Sequence, residues 1–470
     1  MRLTSITIVL FIISSYQHPL SGMIYTTESA VIKTQPSNVT MTICVHGTFY
    51  PPKISINNIF AIMRDKIDNT LYSRAVDYMR QDPRFFQGQA IQELGLKKID
   101  MSPYAKHSTA RTVASLYNLQ LERLGKGHEK NLYYTFGWHG LLSDSKRYEE
   151  SEKLYTDLIA EISKLRSENI NPKVRIIAYS HGGNVVLYLP KVRDDRNPSP
   201  EDELVIDELI TLATPIQMLT DHFIADRLFK KAYHFFSEED VIQIADFASS
   251  GQILPQRYFT NRRNFKVPEK LTQVRLRCTK KIRFRHTAPD GILPHELLEQ
   301  STIKLVHKDP HHTEMWSFGW AACWYRPTFP LKPLPIMSLI PTIIHTLEQA
   351  PKEHTFLTFD YAPGEDGVLL KHEKKNSYKK AFPFMTATLQ KELWELADKY
   401  RPKNFSIKIQ EGLVALALGK ARKDLVAVKR YKKPHNKTLA IYMHRIDAGY
   451  FDTIPGVNKN RSTLMARARF

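Results

Sequence analysis

The sequence predicts an α/β protein built on a mostly parallel sheet, and three observations carry that expectation. The run Val39-Thr40-Met41-Thr42-Ile43-Cys44-Val45 is β-branched and apolar throughout and stops at His46-Gly47-Thr48, the pattern of a buried strand ending in a turn. Strand-like and helix-like patterns then alternate along the chain, which implies crossovers covering both faces of one sheet. With 470 residues and 42% hydrophobic residues, the chain can bury one large core and a smaller second unit.

The elements follow in order. Residues 54–130 carry helical stretches at Ile56 to Arg80 and Ala110 to Leu124, so they read as a helical insertion able to cap the strand ends. Leu132 to Phe136 is an aromatic strand. Ser151 to Leu165 places Leu154, Leu158, Ile159, Ile162 and Leu165 on one helix face. Val174 to Ala178 is a strand, Asn184 to Leu189 a helix, and further strands are expected at Glu208 to Leu212, Ala232 to Phe236 and Thr302 to Val306. Prolines at 327, 330, 333, 335 and 341 mark a closing segment, which bounds a main domain over 23–350. From Glu353 to Phe470 there are 23 Lys or Arg against 12 Asp or Glu. Strand-like runs lie there at Thr355 to Tyr361, Phe405 to Gln410, Leu425 to Val428 and Thr438 to Met443, and together they predict a small basic α+β or β accessory domain over 353–470.

Residues 1–22 read as a signal peptide. Met1-Arg2-Leu3 precedes the apolar run Ile6 to Ile13 and the small residues Ser14-Ser15 and Ser21-Gly22, and the run is shorter than the roughly 20 residues that span a bilayer. An exported or secreted protein is the expectation. The net charge of +19 favours anionic surfaces, phospholipid above nucleic acid, because no nucleic-acid-binding motif accompanies it. Cys44, Cys278 and Cys323 form no CxxC pair, so neither a disulfide framework nor a zinc cluster is signalled.

Ala178-Tyr179-Ser180-His181-Gly182-Gly183 sits between a strand and a helix. A serine hydroxyl is a weak nucleophile at neutral pH, so it needs an exposed position and a base. A sharp strand-to-helix turn with small residues two positions either side of Ser180 supplies the first.

With His46-Gly47-Thr48 after the early strand and Gly137-Trp138-His139-Gly140 followed by Arg147, the chain resembles the lipase-like serine esterases of the α/β-hydrolase superfamily over roughly residues 39 to 345. The resemblance implies an α/β-hydrolase fold and an oxyanion hole formed by the backbone N–H groups of Thr48 and His181. The Trp138 turn reads first as packed aromatic structure, with His46, Trp138 and His139 as candidate pocket residues. The superfamily order places an acid and then a histidine after the nucleophile. Asp240 in Ser237-Glu238-Glu239-Asp240 is the expected acid, with Glu239 second, and His312 is the expected base, with His311 its close competitor and His286 or His295 next. The paired histidines lack an HExxH pattern, so neither a metal nor a cofactor is called for. The expected activity is cleavage of carboxylic esters, lipid or acyl esters foremost, with the basic C-terminal region holding the enzyme at an anionic membrane. The alternative is a binding protein or surface effector that kept the fold and lost turnover.

Overall fold

The computed structural model describes residues 39–49, 65–127, 129–199, 203–245, 255–284, 302–320, 331–351, 355–361, 367–372, 379–403 and 405–431. The expected signal peptide, the start of the insertion, Cys323, His286, His295, the strand at Thr438 to Met443 and the rest of the tail lie outside the described residues.

All seven residues of β1 (Val39–Val45) are buried. Period-two alternation sends Met41, Ile43 and Val45 to one hydrophobic cluster and Cys44 to another, so β1 is covered on both faces. Next come α1 (Leu71–Arg80), a 3-10 segment (Pro83–Gly88), β2 (Gly95–Lys98), α2 (Thr109–Arg123), β3 (Lys130–Gly137) and α3 (Asp144–Ser167). Side chains of Thr70, Ser108 and Ser143 accept first-turn N–H groups and so fix the starts of α1, α2 and α3. Then follow β4 (Pro172–Tyr179), α4 (His181–Leu187), α5 (Leu189–Arg196), β5 (Glu208–Leu212), β6 (Ala232–Phe236), β7 (Leu271–Phe284) and β8 (Thr302–His307). The chain continues through α6 (Ile340–Leu347), β9 (Phe356–Tyr361), β10 (Gly367–His372), β11 (Lys379–Pro383), α7 (Ala387–Tyr400) and α8 (Ile407–Tyr431).

The strands form one mixed sheet in the order β11-β10-β9-β7-β6-β5-β4-β1-β3-β2, with β8 paired to β7. Neighbours from β3 to β9 run parallel, whereas β2, β8, β10 and β11 pair antiparallel. The protein is therefore α/β with a mostly parallel sheet. On one face α3 and α4 pack Leu154, Leu158, Val185 and Val186 over β1 and β4. On the other, α2, α6 and α7 pack Ala114, Leu116, Ile343 and Leu393. β1 lies between β3 and β4, so successive connections leave it in opposite directions. A crevice opens at such a switch point beyond the strands' C-terminal ends.

Three expectations change. The described part of the expected insertion, residues 65–127, does not form a detached cap. Tyr117 donates to the Met337 carbonyl at 2.8 Å and the Gln120 amide to the Ser338 carbonyl at 2.7 Å, which makes α2 a core layer, while β2 extends the sheet edge. Nor does the sheet end at residue 350. β9 pairs in parallel with β7, and Phe359, Leu370, Phe382 and Leu393 enter the main core, so the first half of the expected accessory domain belongs to the central fold. Finally, Phe405 to Gln410 and Leu425 to Val428 are not strands but fall mainly in α8, whose first turn the Ser406 hydroxyl caps by accepting from the Ile409 N–H. Short apolar runs carry no period that separates the two states.

Ending the chain at Ala350 removes β9, β10, β11, α7 and α8, all of which contribute buried core residues, so the truncated protein is expected to lack a cooperative thermal transition. Calorimetry checks this: a two-state transition within a few degrees of the full chain's would restore a domain boundary there.

Candidate active site

Ser180 occupies the single residue between β4 and α4, with φ 51° and ψ −132°. For a residue with a Cβ such a backbone costs of order 1–3 kcal/mol, and it persists because the surroundings fix it. They do so by close approach. A Cβ on Gly182 would stand 2.3 Å from the His46 carbonyl oxygen, one on Gly183 would stand 2.1 Å from Thr214 Oγ1, and one on Gly47 would stand 2.8 Å from the Ser180 Cβ. Glycine at these three positions is what lets the turns after β1, β4 and β5 meet.

β6 and β8 deliver the two partners. Asp240 is fully buried in the loop after β6, where its Oδ1 accepts from the Gln243 N–H at 3.0 Å. The Gln243 amide in turn donates to the carbonyls of Thr214 at 2.7 Å and Arg257 at 2.8 Å, which fixes the loop. His312 opens a short 3-10 turn, His312–Met315. Its Nδ1 lies 2.7 Å from Asp240 Oδ2 and its Nε2 lies 3.1 Å from Ser180 Oγ. A carboxylate only accepts, so Nδ1 carries the proton and the Nε2 lone pair faces the serine hydroxyl. Tyr179 donates its hydroxyl to the His312 carbonyl at 3.1 Å, and its ring lies between the His312 ring and Trp316, stacked on the latter at 5.2 Å. His311 instead points toward Glu239, Nε2 to Oε2 3.8 Å, so the competitors pair with each other away from Ser180.

Of the two expected oxyanion donors, His181 directly follows Ser180 and Thr48 directly follows Gly47, where an added Cβ would stand 2.8 Å from the Ser180 Cβ. His181 is the first residue of α4, and the Thr48 N–H meets no acceptor among the described residues. The expected pocket residues take other places. His46 and Trp138 are buried: the Trp138 N–H donates to His46 Nε2 at 3.1 Å, the Trp138 indole N–H donates to the His46 carbonyl at 2.7 Å, and the His46 ring stacks between Phe49 and Trp138. Burial, reinforced by the charge of Arg80, holds the His46 pKa well below its ordinary value. His46 is thus a neutral clasp between the ends of β1 and β3. His139 pairs with Glu150 at 2.5 Å and faces a charged cleft of about 620 Å³, shared with Arg74, Asp77 and Lys146, whose lining includes none of Ser180, Asp240 and His312.

Sequence reasoning quoted Arg147 but gave it no role. It is wholly buried, and its guanidinium donates to His181 Nδ1 at 3.1 Å, Asp144 at 3.0 Å and Gln217 at 3.3 Å. An ion-pair cluster went unread as well. Arg275 on β7 reaches Glu238 at 3.9 Å and Asp309 at 3.8 Å, and Arg277 reaches Asp309 at 3.8 Å. The cluster therefore ties the Asp240 loop to the His312 loop. Alternation of apolar and basic residues along Val274-Arg275-Leu276-Arg277-Cys278 was the available signal.

The fold and site together define an α/β protein whose sheet switch point assembles a serine, a histidine and an aspartate. No protein-family model matches the chain, and no curated protein is significantly similar to it.

Burial pushes the Asp309 carboxyl up to about 6, against the opposing pull of Arg277 and Arg275. Because the native pKa exceeds the unfolded one, about 3.9, the stability this group contributes is fully present below the unfolded value and is lost as pH rises through about 6. The melting temperature of wild type minus that of Asp309→Asn should therefore fall between about pH 4 and pH 6 and then level. A difference that is flat with pH, or that rises, contradicts this.

Proposed function

We propose that the chain is a serine hydrolase of the α/β-hydrolase type that cleaves carboxylic esters through an acyl-enzyme on Ser180. The observation that carries this reading is the hydrogen-bonded series Ser180 Oγ, His312 Nε2, His312 Nδ1, Asp240 Oδ2, with steps of 3.1 and 2.7 Å at a strained strand-to-helix turn.

The chemistry follows from that geometry. Ser180 Oγ attacks the ester carbonyl carbon while His312 Nε2 takes its proton, and buried Asp240 stabilises the imidazolium and holds its tautomer. The carbonyl oxygen becomes an oxyanion facing the N–H groups of Thr48 and His181. Collapse of the tetrahedral intermediate breaks the bond to the alkoxy oxygen, which leaves as the alcohol with the proton from His312. Water then attacks the acyl-enzyme with His312 again as base, releasing the carboxylic acid and restoring Ser180. An apolar acyl group is favoured by exposed Met218 and Leu219 in the loop after β5 and Val241 and Ile242 beside Asp240.

A fluorophosphonate probe tests the nucleophile. Wild type should label stoichiometrically and hydrolyse a short aryl ester, whereas Ser180→Ala should do neither while melting cooperatively. A folded wild type that neither labels nor hydrolyses would instead favour the binding protein.

The two adjacent histidines separate the base from its neighbour. His312→Ala should lower kcat by several orders of magnitude, since triad members act as a unit. His311→Ala removes a 3.8 Å contact with Glu239 and the side-chain cap on the Glu314 N–H but leaves the His312 side chain in place, so its loss of kcat should be far smaller than that of His312→Ala. Equal losses in both variants would reject His312 as the base.

A further inference from the structure

α8 has two apolar faces, and the described residues cover only one. Leu413, Ala417, Leu418 and Ala421 are buried, packed with Ala75, Val414 and Tyr78, and Asp424 is tied to Tyr78 and Arg74 of α1. On the opposite side Ile409, Leu416 and Val426 recur at intervals of seven and ten residues, the spacing of a single stripe on a helix. All three are exposed, Leu416 to 61%. Lys408, Lys420, Arg422 and Lys423 are exposed along the same helix, whose acidic residues over this stretch are Glu411 and the inward-tied Asp424. The sequence adds Lys429, Arg430, Lys432 and Lys433 directly afterwards.

We propose that this outer face of α8 is a docking surface for an anionic phospholipid membrane. An apolar stripe set among lysine and arginine has the composition of a helix that lies in a membrane interface, its apolar side chains among the acyl chains and its cations at the headgroups. A protein partner of the same shape would not by itself require so one-sided a charge, and the whole chain's +19 acts in the same direction. The position also matters. The buried face of α8 joins, through Ala417, the cluster that contains Phe85, Phe86 and Phe49, and Phe49 directly follows the turn beside Ser180. Docking through α8 therefore anchors the element packed against the proposed oxyanion turn. Delivery of a membrane ester to Ser180 rests on the hydrolase reading, whereas attachment to the membrane does not.

The test is sedimentation of the full chain with vesicles of phosphatidylcholine plus phosphatidylserine and with vesicles of phosphatidylcholine alone. Wild type should bind the first, release in high salt and bind the second weakly. Leu416→Glu and the double variant Arg422→Glu with Lys423→Glu should each weaken binding by at least about tenfold, with soluble-ester turnover unchanged. Leu416→Glu leaves the charge of the following tail intact, so its loss of binding locates the contact on α8. Binding unaffected by these substitutions, or no binding by wild type, overturns the proposal. So does a wild-type dimer that Leu416→Glu converts to monomer, which would assign the face to a second copy. If vesicle binding stands while wild type fails to label with fluorophosphonate, the hydrolase reading falls and the docking surface remains.

Discussion

The site depends on a steric allowance. The turns that end β1, β4 and β5 approach within the width of a methyl group, and three glycines make that approach possible: Gly47 against Ser180, Gly182 against the His46 carbonyl and Gly183 against Thr214. Each removes a Cβ where none would fit, and Ser180 sits among them with a positive φ. Parallel pairing then makes the arrangement reproducible. β1 and β4 pair in register from Val39 with Pro172 to Val45 with Ala178, so the two strands end side by side at the switch point.

Around this junction the sheet order does the rest. β6 lies two strands from β4, and its terminal loop carries Asp240 into the interior, where Gln243 anchors it to the loop after β5. His312 arrives from farther in sequence, yet the hairpin of β8 on β7 brings its loop back over the C-terminal end of β6's neighbour. A buried aspartate beside a histidine is expensive unless its oxygens are bonded, and both oxygens of Asp240 are. The aromatic layer of Tyr179 and Trp316 excludes water from one side of the histidine and fixes its plane.

Much of this was legible in the residues, for reasons that also explain the failures. β1 matched its expected bounds of Val39–Val45, and β5 and β6 matched theirs, because strands buried on both faces need continuous apolar runs. The turn at Ser180 was legible because Ala178 and Gly182 place small residues two positions either side of it, between an apolar strand and a helix-like stretch. β7 drew no expectation: its alternating apolar and basic residues do not announce that Arg275 and Arg277 pair with carboxylates distant in sequence. The accessory-domain boundary failed for a related reason. Prolines and a shift in charge mark a change in solvent exposure, but membership of a sheet is decided by backbone pairing, which leaves no trace in composition. Trp138 packs as the aromatic turn the sequence predicts, and His46, caught between two aromatic rings and bonded to backbone, fastens that turn to the end of β1.

Arg147 shows how structure and the proposed chemistry meet at one side chain. A guanidinium with no exposed surface loses its hydration, and His181, Asp144 and Gln217 compensate by accepting its hydrogen bonds. Accepting at Nδ1 fixes the His181 ring with its proton on Nε2, and the ring belongs to the residue whose backbone N–H faces the developing oxyanion in the proposed reaction. A fixed cation behind that amide favours negative charge in front of it, and in a water-poor setting the effect is larger than the same charge would have at the surface. Asp144 is partly exposed and tempers the field without cancelling it, since solvent screens the outer partner more than the buried one. The ends of β1 and β4 bring Gly47 against Ser180, and α3 supplies the buried guanidinium bonded to the next residue, His181, so the same packing that holds the sheet also places a fixed charge at its switch point.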